Sequence, residues 1–486
     1  VANEGSVLAY LEEKQKILQF AQSMIGQDLD RTSSSPEGKA ASKGVSGQMG
    51  LGDNLSEFFN ALQALSSNPS SQAYRQVVVF KAQNLSEKFN RVDFRLGELL
   101  HDLNSEAVTM VDDVNNALTF LEQIGHLISS NKVLSNANDY TDKFHKRLED
   151  LSKFIDVQFE FRPVASADPA TGKSMEKLYL KIGGVEVIEA GDVVSKLALV
   201  IKDDKGNKVT RKNNYLERGD TVYVETVKSA EQFQLISGKI KAVIDSRDES
   251  VRGFKTSMNL ISEKIKERIN LEHAKGTSLP VLQLSSEYVG TGSLAIEKLS
   301  NDLKAGDRLL FGNGGVFTVA NDAAIGDQEL NGTFTGDSPL AKGERAALTS
   351  IDFFDTAGDG LNVNERISGN PALLHAGMGG DAGNNELALS MAQIIDEKQE
   401  DLNGQTFNEA LNRGVIGFGQ ELSSVEIQTL DQSTVLKMLQ EHRTTISGVS
   451  IDEEMANLLV FQRAFQANAK LISLLDELLA ISINVV

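Results

Sequence analysis

The chain contains no cysteine. Disulfide staples and thiolate metal sites are therefore excluded, and the composition suits any redox compartment as well as export in an unfolded state. An excess of positive charge is also missing, because 48 Lys and Arg face 68 Asp and Glu for a net charge of −20. The basic residues are scattered, so no face is prepared for phosphates and nucleic acid is not an expected partner. No apolar run reaches the roughly 18 residues needed to span a bilayer. Even the greasy C-terminal stretch is broken by Asp476 and Glu477, so no membrane partner is expected. No secretory-type leader opens the sequence at Val1.

Proline is scarce, and its placement is informative. The seven prolines are Pro36, Pro69, Pro163, Pro169, Pro280, Pro339 and Pro371, which leaves 70–162 and everything after 371 free of them. Proline breaks helix interiors, so both windows are open to long helices. The first carries apolar residues at Val78, Ala82, Leu85, Phe89, Val92, Leu96, Leu99 and Leu103. After one extra four-residue step they resume at Ala107, Met110, Val114, Ala117, Leu121, Ile124 and Ile128. Alternating steps of four and three are the heptad of a coiled coil, and the irregular step is a stutter. A rod of about 75 Å follows at 1.5 Å per residue, and it needs partner helices to cover its seam. Candidate partners are Leu8–Met24, Asn54–Leu65 and a third long helix at roughly 240–274, where Val251, Phe254, Met258, Ile261 and Ile265 repeat the rhythm. Less regular candidates are 386–400 and 422–446.

Two stretches have a strand-like texture. Residues 157–235 alternate with period two, as in "KLYLKI" (Leu178, Leu180, Ile182) and "TVYVET", and "KLALVIKDDKGNKVT" reads as a hairpin around a Gly-Asn turn. Residues 277–365 are rich in Gly, Thr and Ser, with "DRLLFGNGGVFTVA" as a second hairpin. The expected fold is α+β: a long antiparallel helical bundle or coiled-coil rod with an inserted β-rich domain. Its expected divisions are a first rod part at 1–156, a β-rich segment at 157–235 and a second rod part at 236–276. A projecting β-rich domain at 277–368, a third rod part at 369–446 and an apolar C-terminal helix at 447–486 complete it.

Chemistry is hard to find. The six histidines (His101, His126, His145, His273, His375 and His442) show no H-E-x-x-H or paired ligand spacing. His101 and His126 fall within the long helix pattern without ligand company in sequence. Gly290, Gly292 and Ala295 fit G-x-G-x-x-A after a strand-like segment, but a dinucleotide loop needs a βαβ setting, and this neighbourhood is β-rich. "DTAGDGLNVNER" places Asp355, Asp359 and Gly360 at EF-hand positions 1, 5 and 6. It has Ala357 at position 3 and Arg366 at position 12, where a bidentate Glu is required. No catalytic residue, metal ligand or cofactor is expected, and the chain is not read as an enzyme.

The helices carry what remains. Ser450 to Glu453 spells the capping box S-I-D-E, in which Ser450 and Glu453 satisfy first-turn donors. From there one position in seven is apolar: Ile451, Leu458, Phe465, Ile472, Leu479 and Val486. Leu471, Leu474, Leu475 and Leu478 fill other faces near the end, and a helix apolar nearly all round is one that must be covered.

Here the residues match a family. "LSEFFNALQALSSNPSSQAYRQ" (Leu55–Gln76) and "SGVSIDEEMANLLVFQRAFQANAKLISLLDELL" (Ser447–Leu479) resemble the flagellar hook–filament junction family, the hook-associated proteins 1. "ANDYTDKFHKRLEDLSKFIDV", "SGKIKAVIDSRDES", "NPALLHA" and "NNELALSMAQI" are similar to further blocks of that family in the same order. The resemblance implies a structural axial protein of the bacterial flagellum, exported unfolded, extracellular or periplasmic where the flagellum is enclosed. Its implied partners are hook protein, the second junction protein, further copies of itself in a ring, and an export chaperone at the C-terminal helix. It also implies that the terminal helices pair in an inner layer, which makes Ile451, Leu458, Phe465, Leu471, Ile472, Leu474, Leu475, Leu478, Leu479 and Val486 the assembly interface. The family's N-terminal segment has no counterpart after Val1, and a further apolar-heptad helix is expected upstream. The competing reading is a secreted coiled-coil protein whose β-domain binds a ligand or surface.

Overall fold

A computed structural model of the chain describes residues 2–25, 50–130, 137–167, 174–203, 205–210, 220–349, 351–358, 360–378, 383–447 and 451–484. Its spine is the helix α3, Gln72–Ser130, 59 residues long and so about 88 Å from end to end. All fourteen seam positions from Val78 to Ile124 are buried, and the fifteenth, Ile128, is partly buried against them. The 4-and-3 spacing is thus a true core seam.

The cover is supplied by α1 (Ala2–Ile25), α2 (Leu51–Ser67), α4 (Ala137–Phe154), α5 (Lys239–Asp245) and α6 (Arg252–His273), all packed on α3. The third long helix is real but not uniform. A π-helical turn at Ser246–Val251 joins α5 to α6, and it turns Arg247 fully inward. There the guanidinium donates to Asn104 Oδ1 on α3 (3.1 Å) and to both carboxylate oxygens of Asp248 (2.7 Å each). A buried charge is tolerable only when paired in this way.

Two helix expectations change in extent. After the short helix α7, Glu365–Gly369, the 386–400 candidate is α8, Glu386–Gln393, followed by short 3₁₀ turns at Ile394–Asp396 and Glu400–Leu402. The latter stretch closes on itself, with Asn403 and Gly404 in the left-handed region. The 422–446 candidate is part of the 41-residue α9, Phe407–Ser447. Its start carries a reciprocal cap: Thr406 N–H donates to Glu409 Oε2 (2.9 Å) and Glu409 N–H to Thr406 Oγ1 (3.2 Å). Gly414, Gly417 and Gly419 disguise that beginning in the sequence. At Gly414 a Cβ would stand 3.0 Å from Met258 Cε, so one of these glycines serves close packing of α9 on α6.

The strands form antiparallel sheets. β1 (Val157–Ala167), β2 (Ser174–Ile182), β3 (Val185–Glu189) and β4 (Asp192–Val193) make a meander, and β5 (Leu197–Lys202) pairs with β6 (Lys208–Val209) and β7 (Thr221–Thr226). Leu178, Leu180 and Ile182 are buried on one face, as their alternation predicts. Both expected hairpins form, β5–β6 through Gly206 and β10 (Arg308–Phe311) with β11 (Val316–Val319) through Gly314, each glycine at positive φ. The second pair belongs to a five-stranded sheet with β8 (Pro280–Gln283), β13 (Gly332–Thr335) and β14 (Arg345–Thr349). The Gly290–Gly292 turn leads into β9 (Leu294–Ala295), paired with β12 (Glu329–Leu330), rather than into a helix. Arg366, at the failed EF-hand position, forks onto Asp307 at 3.0 and 2.6 Å.

Leu85→Ala, at a fully buried seam position, is expected to cost about 2–5 kcal/mol. Phe94→Ala on the exposed face of the same helix should cost within about 0.5 kcal/mol. Urea unfolding followed by helical circular dichroism measures both, and equal midpoints would contradict the seam assignment.

Candidate assembly surface

The C-terminal helix α10, Ile451–Asn484, is about 51 Å long, and it is not covered. Every side chain from Glu454 to Leu479 is exposed. Leu458, Phe465, Ile472 and Leu479 lie on one stripe of spacing seven and are 57–76% exposed, and Leu471, Leu474, Leu475 and Leu478 flank it at 52–59%. Ile451 opens the helix and Glu453 stands in its first turn, with side chains outside the described residues. Ser450 and Val486 also lie outside the described residues, and so does the capping pair. Each large apolar side chain gains roughly 1.5–3 kcal/mol when it is fully covered, and a contiguous patch of this kind marks an interaction surface.

The sequence reading missed that α9 belongs to the same surface. Its first half is anchored in the core by Phe407, Leu411, Phe418, Leu422 and Val425. Beyond that point Ile427, Leu430, Val435 and Met438 are exposed. Gln19 donates to Glu426 Oε1 (2.9 Å) and Gln432 to Glu4 Oε2 (2.6 Å), so α1 runs antiparallel to α9. The available signal was the capping box at Thr406–Glu409, which sets the helix's true start.

A buried polar joint holds the other quoted blocks together. The Arg75 guanidinium donates to the Pro69 carbonyl (3.1 and 2.8 Å) and to the carbonyl of Leu374, with no ion-paired carboxylate among the described residues. Burial lowers its pKa to about 10, so it is still charged at neutral pH. Next to it His273 and His375 stack, centroids 3.9 Å apart and planes 4° apart. His273 Nδ1–H donates to the Ile351 carbonyl (2.7 Å), and its Nε2 accepts the His375 backbone N–H (2.8 Å), which fixes the neutral tautomer. His375 Nδ1–H in turn donates to the His273 carbonyl at 2.7 Å. Burial pushes His375 down to about 4, with Arg75 adding to it, and burial holds His273 well below the ordinary imidazole value. Phe58, Phe353 and Phe354 cluster beside this pair. Both rings and the guanidinium are buried, so the joint acts as a structural weld. His126, without company in sequence, has Glu122 and Asp192 beside it in the fold.

The comparisons with known proteins agree with this geometry. Residues 440–485, most of which form α10, match the family described as the flagellar basal body rod FlgEFG protein C-terminal. The chain thus carries a segment of a flagellar structural class. Residues 44–281 match the flagellar hook-associated protein FlgK helical domain, and the two matches together span more than half of the chain. Flagellar hook-associated protein 1 of Bacillus subtilis is 25% identical over 442 residues, covering 90% of this chain and 76% of that protein. The Salmonella typhimurium protein of the same name is 22% identical over 478 residues, covering 90% and 81%. The solved structure of the flagellar hook junction protein FlgK from Burkholderia pseudomallei shares the fold, with TM-score 0.54 at 12% identity over 92% of this chain and all of that one. The chain belongs to the flagellar hook-associated protein 1 family.

The histidine pair sets a pH dependence. Unfolded imidazoles take a proton near pH 6.5, whereas the folded pair resists it, so protons favour the unfolded chain and stability falls as pH drops. Lowering pH from 6.5 to 5 should cost about 2 kcal/mol through His375 alone. His375→Asn should flatten that slope in urea midpoints measured across this window, and an unchanged slope would contradict it.

Proposed function

We propose that the chain is a structural subunit of the bacterial flagellum that forms the junction between hook and filament, with α10 as its polymerising element. One observation carries the reading: the segment matched by the flagellar rod protein C-terminal family, residues 440–485, contains the helix whose side chains from Glu454 to Leu479 are all exposed. Copies of the chain associate in a ring through α10 and the distal half of α9. The folded bundle around α3 supplies the rigid body that stands outside that layer. Hook protein on one side and the second junction protein on the other are the proposed neighbours, and an export chaperone covers α10 before assembly. The β-rich units at 157–235 and 277–368 project from the helical body under this reading, and 447–486 acts as a separate assembly unit. Function then resides in surface complementarity and stiffness, with no catalytic step.

The test is electron microscopy of isolated hook ends incubated with the full chain. A triple substitution, Leu471→Asp, Leu475→Asp and Leu478→Asp, is expected to abolish capping of the hooks and later filament growth. Thermal unfolding of its bundle should stay within about 1 °C of the parent, because these side chains are exposed in the monomer. Full assembly by the variant would overturn α10 as the polymerising helix.

A further inference from the structure

One stripe of α3 holds the start of β5 and then the β4 edge of the β meander at three successive points. Asn115 acts like a neighbouring strand: its Oδ1 accepts the Leu197 N–H (2.8 Å) and its Nδ2 donates to the Leu197 carbonyl (2.9 Å). Two turns on, Glu122 Oε1 accepts the Val193 N–H at 2.7 Å. One turn further, His126 Nε2 lies 3.1 Å from Asp192 Oδ1. Glu122 and His126 are four residues apart and so point the same way from the helix. Asp192 reaches them from the start of β4. One ligand atom from each of the three residues lies within 4.8 Å of the other two.

We infer that Glu122, His126 and Asp192 form a binding site for a divalent transition-metal ion of the zinc type. Two carboxylates gathered around one imidazole repel each other, and a cation between them relieves that repulsion. An ion with bonds of about 2.0–2.2 Å to nitrogen and carboxylate oxygen needs its ligand atoms about 3–4 Å apart. His126 and Asp192 stand 3.1 Å apart and Glu122 lies within 4.8 Å of both, so a small shift of the Glu122 side chain closes the set. The imidazole selects zinc, nickel or cobalt over calcium and magnesium, which prefer all-oxygen shells. The Val193 N–H holds one oxygen of Glu122 in place, and such outer hydrogen bonds orient a ligand before the metal arrives. His126 and Asp192 are exposed, so water completes the coordination. The bound ion pins the β meander to the C-terminal end of α3 and turns an exposed ion pair into a rigid clamp between helix and sheet.

Calorimetric titration of the full chain with zinc chloride tests the site. One equivalent should bind, and Glu122→Gln, His126→Ala and Asp192→Ala should each weaken it by at least about tenfold. Glu122→Gln keeps an oxygen for Val193, and the other two changes lie at the surface, so the fold is retained in all three. His442→Ala, an exposed histidine on α9, should leave zinc binding unchanged, and calcium chloride should give no saturable binding. A zinc-dependent rise in the thermal midpoint should appear in the parent and vanish in the three variants. Absence of zinc binding by the parent, or equal affinity in the parent and these variants, overturns the site.

Discussion

The seam of α3 is the constraint from which the rest of the structure follows. A 59-residue helix with one apolar stripe cannot stand alone in water, because helix stability in proteins comes from packing of the apolar face rather than from propensity. The chain covers it by running back along it. Arg75 meets Leu374, Gln83 meets Ser368, Asn90 meets Leu361 and Asp93 meets Lys255. Asn104 then meets Arg247, Asn115 meets Leu197 and Glu122 meets Val193. As the α3 number rises the partner number falls, without exception in this series. The later chain is therefore laid antiparallel on one spine. The β-rich stretches do not interrupt this plan, since Leu178, Leu180 and Leu197 join the same core cluster as the helices.

Along that spine the apolar contacts set how strongly the layers hold, and the polar contacts set where. A heptad seam can slip by a turn with small loss of burial, because hydrophobic residues of similar volume replace one another readily. Arg75 on two carbonyl groups, Asn115 bracketing one residue, and Arg247 in its π-helical turn cannot slip without leaving buried donors unmet. The stacked His273–His375 pair adds a contact in which both His273 ring nitrogens and the His375 Nδ1 are fixed by backbone partners. The blocks quoted from the sequence around Pro69, Arg247 and His375 are these register marks.

The parts legible in sequence were those with a periodic signal. Seam positions on α3, the a/d rhythm of α6 and the alternation of Leu178, Leu180 and Ile182 are all buried where the period puts them. Legibility failed where local and tertiary signals conflict. The start of α9 is hidden by three glycines that read as loop, although Gly414 is there for close packing and the Thr406–Glu409 cap marks the true beginning. The π turn has no apolar period of its own, and the residue it turns inward is the charged Arg247. The company around His126 was invisible because Asp192 comes from a strand 66 residues away that only the fold brings near.

The apolar C-terminal helix looked like a contradiction, since a helix greasy on nearly every face should be buried and α10 is not. The contradiction dissolves if its cover is supplied by other chains. Each large side chain contributes roughly 1.5–3 kcal/mol on burial, and joining two bodies costs about 4–15 kcal/mol in lost freedom. A contact covering one or two such residues is therefore too weak to persist, whereas one covering most of the stripe from Leu458 to Leu479 is strong. The distribution of apolar groups around the helix means that one neighbour leaves other faces bare. Cover on every face requires neighbours on several sides, which is the geometry of a closed layer rather than of a dimer. The net charge of −20 opposes chance encounters between free copies, so association is favoured where a template already holds copies close.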